Sequence, residues 1–304
     1  MTAPPSALGK DRILLGILFM CGSGIVFPIM NGLVQVLSPR YPTEQIVWVR
    51  TGMHLVFMLL LFAPQRGLIP LLTTSKPGWQ IARSLVLLSS TTLFFSGVKH
   101  LHLASAASIS LTAPLIVAAL AWPILGERVS LTRLVAVACG FIGVLVVIRP
   151  GTSVFHPASL YIVGSATCYA LYQLFTRKVA GHDSPETSAC YSALIGTVAM
   201  SLFAPFNAIG FQSTLDAVTM LSLGLFGGIG HYCVARAMTY APANVVAPFQ
   251  YFQMIGSVIV GYFISSKFPD AMTWLGSAII IGAGLYIWWR ESRGRGATTA
   301  PRSK

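Results

Sequence analysis

Of the 304 residues, 55% are hydrophobic and only 9% charged, against roughly 25% charged in a soluble domain, and the mean hydropathy of +0.73 excludes a soluble globular fold. The formal charge of +12 does not mark a nucleic-acid binder, because the basic residues are scattered between apolar segments and not gathered on one soluble face. Cys21, Cys139, Cys168, Cys190 and Cys233 lie inside apolar segments with no metal-ligand spacing, so they read as packing residues and no metal or cofactor is expected.

Crossing a hydrocarbon layer of about 30 Å takes about 20 apolar residues in a helix that satisfies its own backbone. The alternating pattern of a membrane β-barrel strand is absent, and the expected fold is an all-α membrane protein. Its first segment, 13–37, follows Lys10 and Arg12 as a signal sequence would, yet it runs about 25 residues without a small-residue cleavage site and reads as a retained helix after a tail over 1–12. Nine more predicted helices follow, at 44–63, 79–97, 104–125, 131–148, 158–179, 186–206, 216–238, 243–265 and 272–290. Turn chemistry separates them: Ser38-Pro39-Arg40-Tyr41-Pro42, Lys76-Pro77-Gly78, Gly126-Glu127-Arg128, Arg149-Pro150-Gly151 and Gly181-His182-Asp183. The residues from 291 to 304 are basic and rich in Gly, Ser, Thr and Pro, the composition of a disordered tail near anionic lipid.

Lysine and arginine set the orientation, since they are retained on the cytoplasmic side. An even number of helices puts both termini on one side. That side then holds 15 of the 20 basic residues, Arg40, Lys99, Arg149 and Lys267 occupy the other, and Arg50 falls within the second helix. Both termini are therefore expected in the cytoplasm, in a multi-pass protein of the inner (plasma) membrane.

The chain also repeats. Ser96 to Gly143 can be laid without gaps on Ala235 to Gly282, an offset of 139 residues, and Leu61-Phe62-Ala63-Pro64 recurs as Leu202-Phe203-Ala204-Pro205. The halves are 13–150 and 151–290. Five helices per half is an odd number, so the halves would lie upside down to each other, an architecture of alternating-access transporters with the substrate site near the midplane.

The run from Thr112-Ala113-Pro114 through Trp122-Pro123-Ile124-Leu125 to Gly126-Glu127-Arg128-Val129-Ser130 resembles the fourth helix and Gly-Glu turn of EamA-type members of the drug/metabolite transporter superfamily. Leu103-Ala104-Ser105-Ala106-Ala107 and the glycine-spaced closing helices, Cys139 to Gly143 and Gly276 to Gly284, are similar to that family too. The resemblance covers nearly the whole chain and implies ten helices and transport of small metabolites, often export, as in YddG-like amino-acid exporters. One departure is Ser265-Ser266-Lys267, where the first half has Gly126-Glu127-Arg128.

Parts for catalysis are not found. Cys21-Gly22-Ser23-Gly24 lacks the first glycine of an intramembrane serine-protease motif, His100 and His102 have no third ligand at zinc spacing, and the glycines from Gly224 to Gly230 form no phosphate loop. Arg50, six residues inside its helix, fits either a fixed cation for a substrate carboxylate or a structural arginine snorkelling to the interface. His54 lies on the same face, four residues on. Tyr169, Tyr172, Gln173, His231, Tyr232, Gln250, Tyr251 and Gln253 combine apolar bodies with hydrogen-bonding tips, and Gln250 and Gln253 share a face after Pro248. Ser108 and Thr112 occupy the corresponding region of the first half. Together they suit a cavity for small amphipathic, aromatic metabolites, or they tie helices to one another.

The reading is a transporter exporting amino acids or related small metabolites. Another cargo (a nucleoside, vitamin or sulfonium compound), uptake in place of export, and a membrane-embedded enzyme are the alternatives. All eight acidic residues fall in loops, tails or terminal turns, which leaves no midplane carboxylate as a proton relay and points to facilitated or exchange transport.

Overall fold

The computed structural model describes residues 10–125, 131–179, 182–241 and 243–296. Among them it is all-helical: α1 (Lys10–Leu37), α2 (Thr43–Arg66), α3 (Leu68–Leu72), α4 (Pro77–Val98), α5 (Leu103–Ser110), α6 (Ala113–Leu125), α7 (Leu131–Ile148), α8 (Ala158–Val179), α9 (Pro185–Ser201), α10 (Ala204–Asn207), α11 (Thr214–Tyr240), α12 (Ala243–Val246), a 3-10 turn (Ala247–Tyr251), α13 (Phe252–Ser265) and α14 (Ala271–Gly296). Local chemistry sets several ends. Ser184 caps α9, its hydroxyl accepting from the Thr187 amide at 3.1 Å, with Pro185 in the first turn. Ser213 caps α11 in the same way, accepting from the Asp216 amide at 3.0 Å. Gly67, at φ 80°, turns the chain sharply after α2.

The outer surface is apolar where that of a soluble protein would be polar. Leu60, Leu131, Leu215, Phe206 and Phe263 lie on the outer surface, while Asn31, Arg50, His54, Gln80, Arg83 and Ser108 are buried. Apolar side chains facing outward cost nothing where the surroundings are lipid, and buried polar groups then face one another or an internal cavity. Seven stretches among the described residues are long and apolar enough to cross a membrane, beginning at Asp11, Thr43, Pro77, Leu103, Leu131, Thr214 and Ala271. This is a multi-pass membrane protein.

The other three expected segments are helical but fall short of that measure. Segment 158–179 forms α8, whose apolarity is diluted by its tyrosines, Gln173, Arg177 and Lys178. Segment 186–206 stops at Ser201 after 17 residues, turns at Leu202 and Phe203, and resumes as α10. Segment 243–265 is broken by the 3-10 turn, where Pro248 removes an amide donor. Expected helix 104–125 is also broken, at Leu111 and Thr112, between α5 and α6. At the C-terminus α14 continues to Gly296, past the boundary at 290 expected for a disordered tail. The Gly126-Glu127-Arg128 turn, the first nine residues and those after 296 lie outside the described residues.

Helix packing follows a rule of exchange. α1 packs on α11 as α8 packs on α4; α2 meets α11 as α9 meets α4; α1 meets α13 as α8 meets α6; and α2 with α9 and α7 with α14 pair across the halves. Swapping 13–150 for 151–290 leaves this pattern unchanged. The α7–α14 pair approaches backbone to backbone, since a Cβ on Gly276 would stand 2.6 Å from the Gly143 carbonyl oxygen and one on Gly143 2.9 Å from that of Gly276.

Candidate substrate cavity

Both halves build one cavity of about 170 Å³. The first half supplies Ser23, Phe27, Met30 and Asn31 from α1, Arg50 from α2, Ser90, Thr91, Phe94 and Phe95 from α4, and Ala107, Ser110 and Pro114 from α5 and α6. From the second come Ser165, Tyr169 and Gln173 of α8, His231 of α11, and Gln250, Tyr251 and Gln253 around the break before α13. The two broken segments therefore face this space, where interrupted helices present polar groups that a continuous one would conceal. No carboxylate lines it among the described residues.

Arg50 is 6% exposed. Its Nε donates to Met30 Sδ at 3.4 Å and its guanidinium carbon lies 5.8 Å from the centre of the Phe95 ring. Gly227 on α11 leaves the space it needs, as a Cβ there would come within 3.3 Å of Nη2. His231 packs edge-on against Phe27, with ring centres 5.2 Å apart, and stacks on His54 at 5.6 Å. The Nε2 atoms of His54 and Gln173 and the hydroxyl of Ser110 are buried without a hydrogen-bond partner among the described residues. Ser90 and Ser165 instead exchange hydroxyl-to-carbonyl bonds of 2.9 and 2.8 Å, fastening α4 to α8.

Six of the eleven site residues expected from sequence line the cavity: Arg50, Tyr169, Gln173, His231, Gln250 and Gln253. The other five sit outside its lining. His54 lies behind His231. Ser108 bonds Ser277 at 2.7 Å and the Ala104 carbonyl at 2.8 Å, joining α5 to α14, and Thr112 donates to the Ile109 carbonyl at 2.6 Å in the break before α6. Tyr172 accepts from Arg83 at 3.0 Å, and Tyr232 packs against Phe62 and Arg236. Sequence reading passed over Asn31, Ser90, Thr91 and the three phenylalanines. Asn31 is an amide deep in an apolar helix, and Ser89-Ser90-Thr91-Thr92 is a polar run in another; both were legible signals. Nothing local distinguishes Phe27, Phe94 and Phe95 from the other phenylalanines among 17.

A helical membrane protein whose two equivalent halves enclose a cavity lined by aromatic and polar side chains is built as a transporter is built. A profile of the EamA-like transporter family matches residues 13–149 and again 156–289, and the chain belongs to that family. A riboflavin transporter of Vibrio cholerae serotype O1 is 27% identical over 297 residues, covering 94% of this chain and 97% of that protein. An S-adenosylmethionine uptake transporter of Rickettsia felis is 31% identical over 222 residues, covering 73% of this chain and 75% of its own. One crystal structure superposes with a TM-score of 0.64 at 16% identity, over 93% of this chain and 98% of that one, a likeness of fold.

Proposed function

We propose that this small-molecule transporter crosses the inner membrane ten times, with its halves inverted, and carries a ring-bearing amphipathic metabolite by alternating access through the central cavity. The observation that carries the reading is the lining itself: Phe27, Phe94, Phe95, Tyr169 and Tyr251 offer faces for a ring, while Asn31, Gln173, Gln250 and Gln253 offer amides for its polar edge. Amino-acid export and uptake of a heteroaromatic vitamin both suit such walls. The full-length relatedness to a protein named as a riboflavin transporter favours the second. A sulfonium cargo such as S-adenosylmethionine would bring a carboxylate for Arg50 but meet no carboxylate among the described lining residues for its sulfonium and ammonium groups.

The test is counterflow in proteoliposomes with radiolabelled riboflavin, aromatic amino acids and S-adenosylmethionine, in both vesicle orientations. Exchange of a ring-bearing compound is expected, reduced about tenfold or more by Tyr169→Ala or Gln253→Ala, a loss equivalent to ~1.4 kcal/mol. With no carboxylate lining the cavity among the described residues, an imposed pH gradient should not drive accumulation. Absence of counterflow for every compound would sink the reading, and accumulation abolished by His54→Ala or His231→Ala would make a histidine the coupling site.

A further inference from the structure

Resting on that transporter reading, we infer that the metabolite is an anion and that Arg50 holds its acidic group, with His231 beside it in the wall. Arg50 is, among the described residues, a buried charge without an adequate partner. Among the described residues its guanidinium has one hydrogen bond, to the Sδ of Met30 at 3.4 Å, and a thioether is a weak acceptor. Taking a guanidinium out of water costs several kcal/mol unless an anion or a full set of acceptors replaces the water. With 6% exposure, the side chain does not reach the interface by snorkelling. It opens instead onto the cavity, over a glycine that leaves α11 without a side chain at that point.

No acid among the described residues forms an ion pair with Arg50, and four of them are engaged elsewhere. Asp216 pairs with Arg40 at 2.8 Å, Glu186 with Arg66 at 3.2 Å, Asp270 with Arg149, and Asp183 accepts from Gln80 at 2.8 Å. The side chains nearest the site supply no carboxylate: the imidazole of His231 in the wall, His54 stacked on it with Nε2 unpartnered, and the Phe95 ring, whose face gives the guanidinium only a weak attraction at 5.8 Å. A carboxylate or phosphate arriving with the substrate would complete the hydrogen bonding of Arg50 in the forked geometry that a guanidinium favours. A neutral analogue would leave the charge as it stands, and an amine would face repulsion. The cavity therefore selects by charge at Arg50 and by ring shape along the aromatic wall.

Indole-3-acetate, indole-3-acetamide and tryptamine share a ring and differ in charge, so thermal unfolding of the purified protein with each compound reads the preference directly. The acid is expected to stabilise at concentrations roughly tenfold or more below those the amide needs, tryptamine to be inert, and Arg50→Met to erase the difference while Arg50→Lys retains part of it. Without ligand, Arg50→Met should unfold at the wild-type temperature or above, since it removes a buried charge that lacks a partner. The inference is overturned if the acid stabilises wild type no better than the amide, whether both act or neither does. It is equally overturned if ligand-free Arg50→Met unfolds at lower temperature, which would assign Arg50 to the structure. Acid-selective binding without any flux would instead count against the transporter reading alone, and flux indifferent to charge against this inference alone.

Discussion

Arg50 and Arg83 lie at similar depths from the starts of α2 and α4, and their surroundings differ completely. Arg83 donates from Nε to Thr176 at 2.8 Å, from Nη1 to the Ser188 carbonyl at 2.9 Å and to Gln80 at 3.1 Å, and from Nη2 to Tyr172 at 3.0 Å, whose ring it also covers. It ties α4 to α8 and α9 with a nearly full set of acceptors, so its charge is compensated by protein. Arg83→Met leaves those acceptors unanswered and should cost roughly 3 kcal/mol, seen as a lower unfolding temperature in detergent with and without substrate. The opposite responses expected of ligand-free Arg50→Met and Arg83→Met separate a charge kept for a ligand from one used to hold helices. In the sequence both are simply arginines a few residues into an apolar helix, and only their partners tell them apart.

At the scale of elements, the closing helices and the loop before α9 make the sharpest claims. α7 and α14 touch through Gly143 and Gly276, and a Cβ on Gly276 would also come within 2.5 Å of Val147 Cγ2. Gly276→Val should therefore force the pair apart at a cost of about 1–3 kcal/mol, measured as loss of monodisperse protein after mild heating. The loop before α9 is fastened by Asp183. Burial works to raise its carboxyl pKa, but hydrogen bonds from Thr74, Gln80 and the Ser75 amide outweigh it, and the value falls below the ordinary carboxylate range. A depressed folded value means that the tie stabilises above the unfolded pKa of about 3.9 and is lost as pH falls through the lower folded one. Amide exchange in 182–188 should accordingly stay slow from neutral pH down to about 4 and quicken below it, once corrected for the intrinsic pH dependence of exchange. Asp183→Asn should bring the faster exchange to neutral pH. The break at Pro248 is visible in the sequence as a loosened helix; the matching break at Leu111 and Thr112 lies just before Pro114, which has no amide donor for the Ser110 carbonyl, a signal passed over in the sequence reading.

The whole molecule uses the same ties twice. The loop between α1 and α2 meets the start of α11, where Arg40 pairs with Asp216, Tyr41 donates to that carboxylate at 3.1 Å, and the Gln212 amide donates to Tyr41 at 2.7 Å. The loop between α8 and α9 meets the start of α4 through Asp183 and Gln80. Exchanging the halves turns one junction into the other, and in an inverted arrangement they would fasten opposite ends of the bundle. The orientation has its own test: a reporter active only in the periplasm should stay silent when fused after residue 304 and respond when fused in the loop after α7. Strong activity at the C-terminus would reverse the assignment made from the distribution of lysine and arginine.

The membrane-spanning character and the two-fold repeat were decided by the sequence alone, because lipid imposes its demand locally: about 20 consecutive residues either suit a hydrocarbon layer or do not. The family was legible for the same reason, in runs such as Thr112 to Leu125. Which side chains meet was not local. Met30, Arg50, Phe95, Tyr169, His231 and Gln253 come from six different helices, and an apolar helix has no strongly polar face to announce which side turns inward. Glycine contacts such as Gly143 on Gly276 and Gly227 against Arg50 fix those rotations. Only the tertiary structure could therefore show that Arg83 has its partners within the protein and that Arg50 faces the cavity.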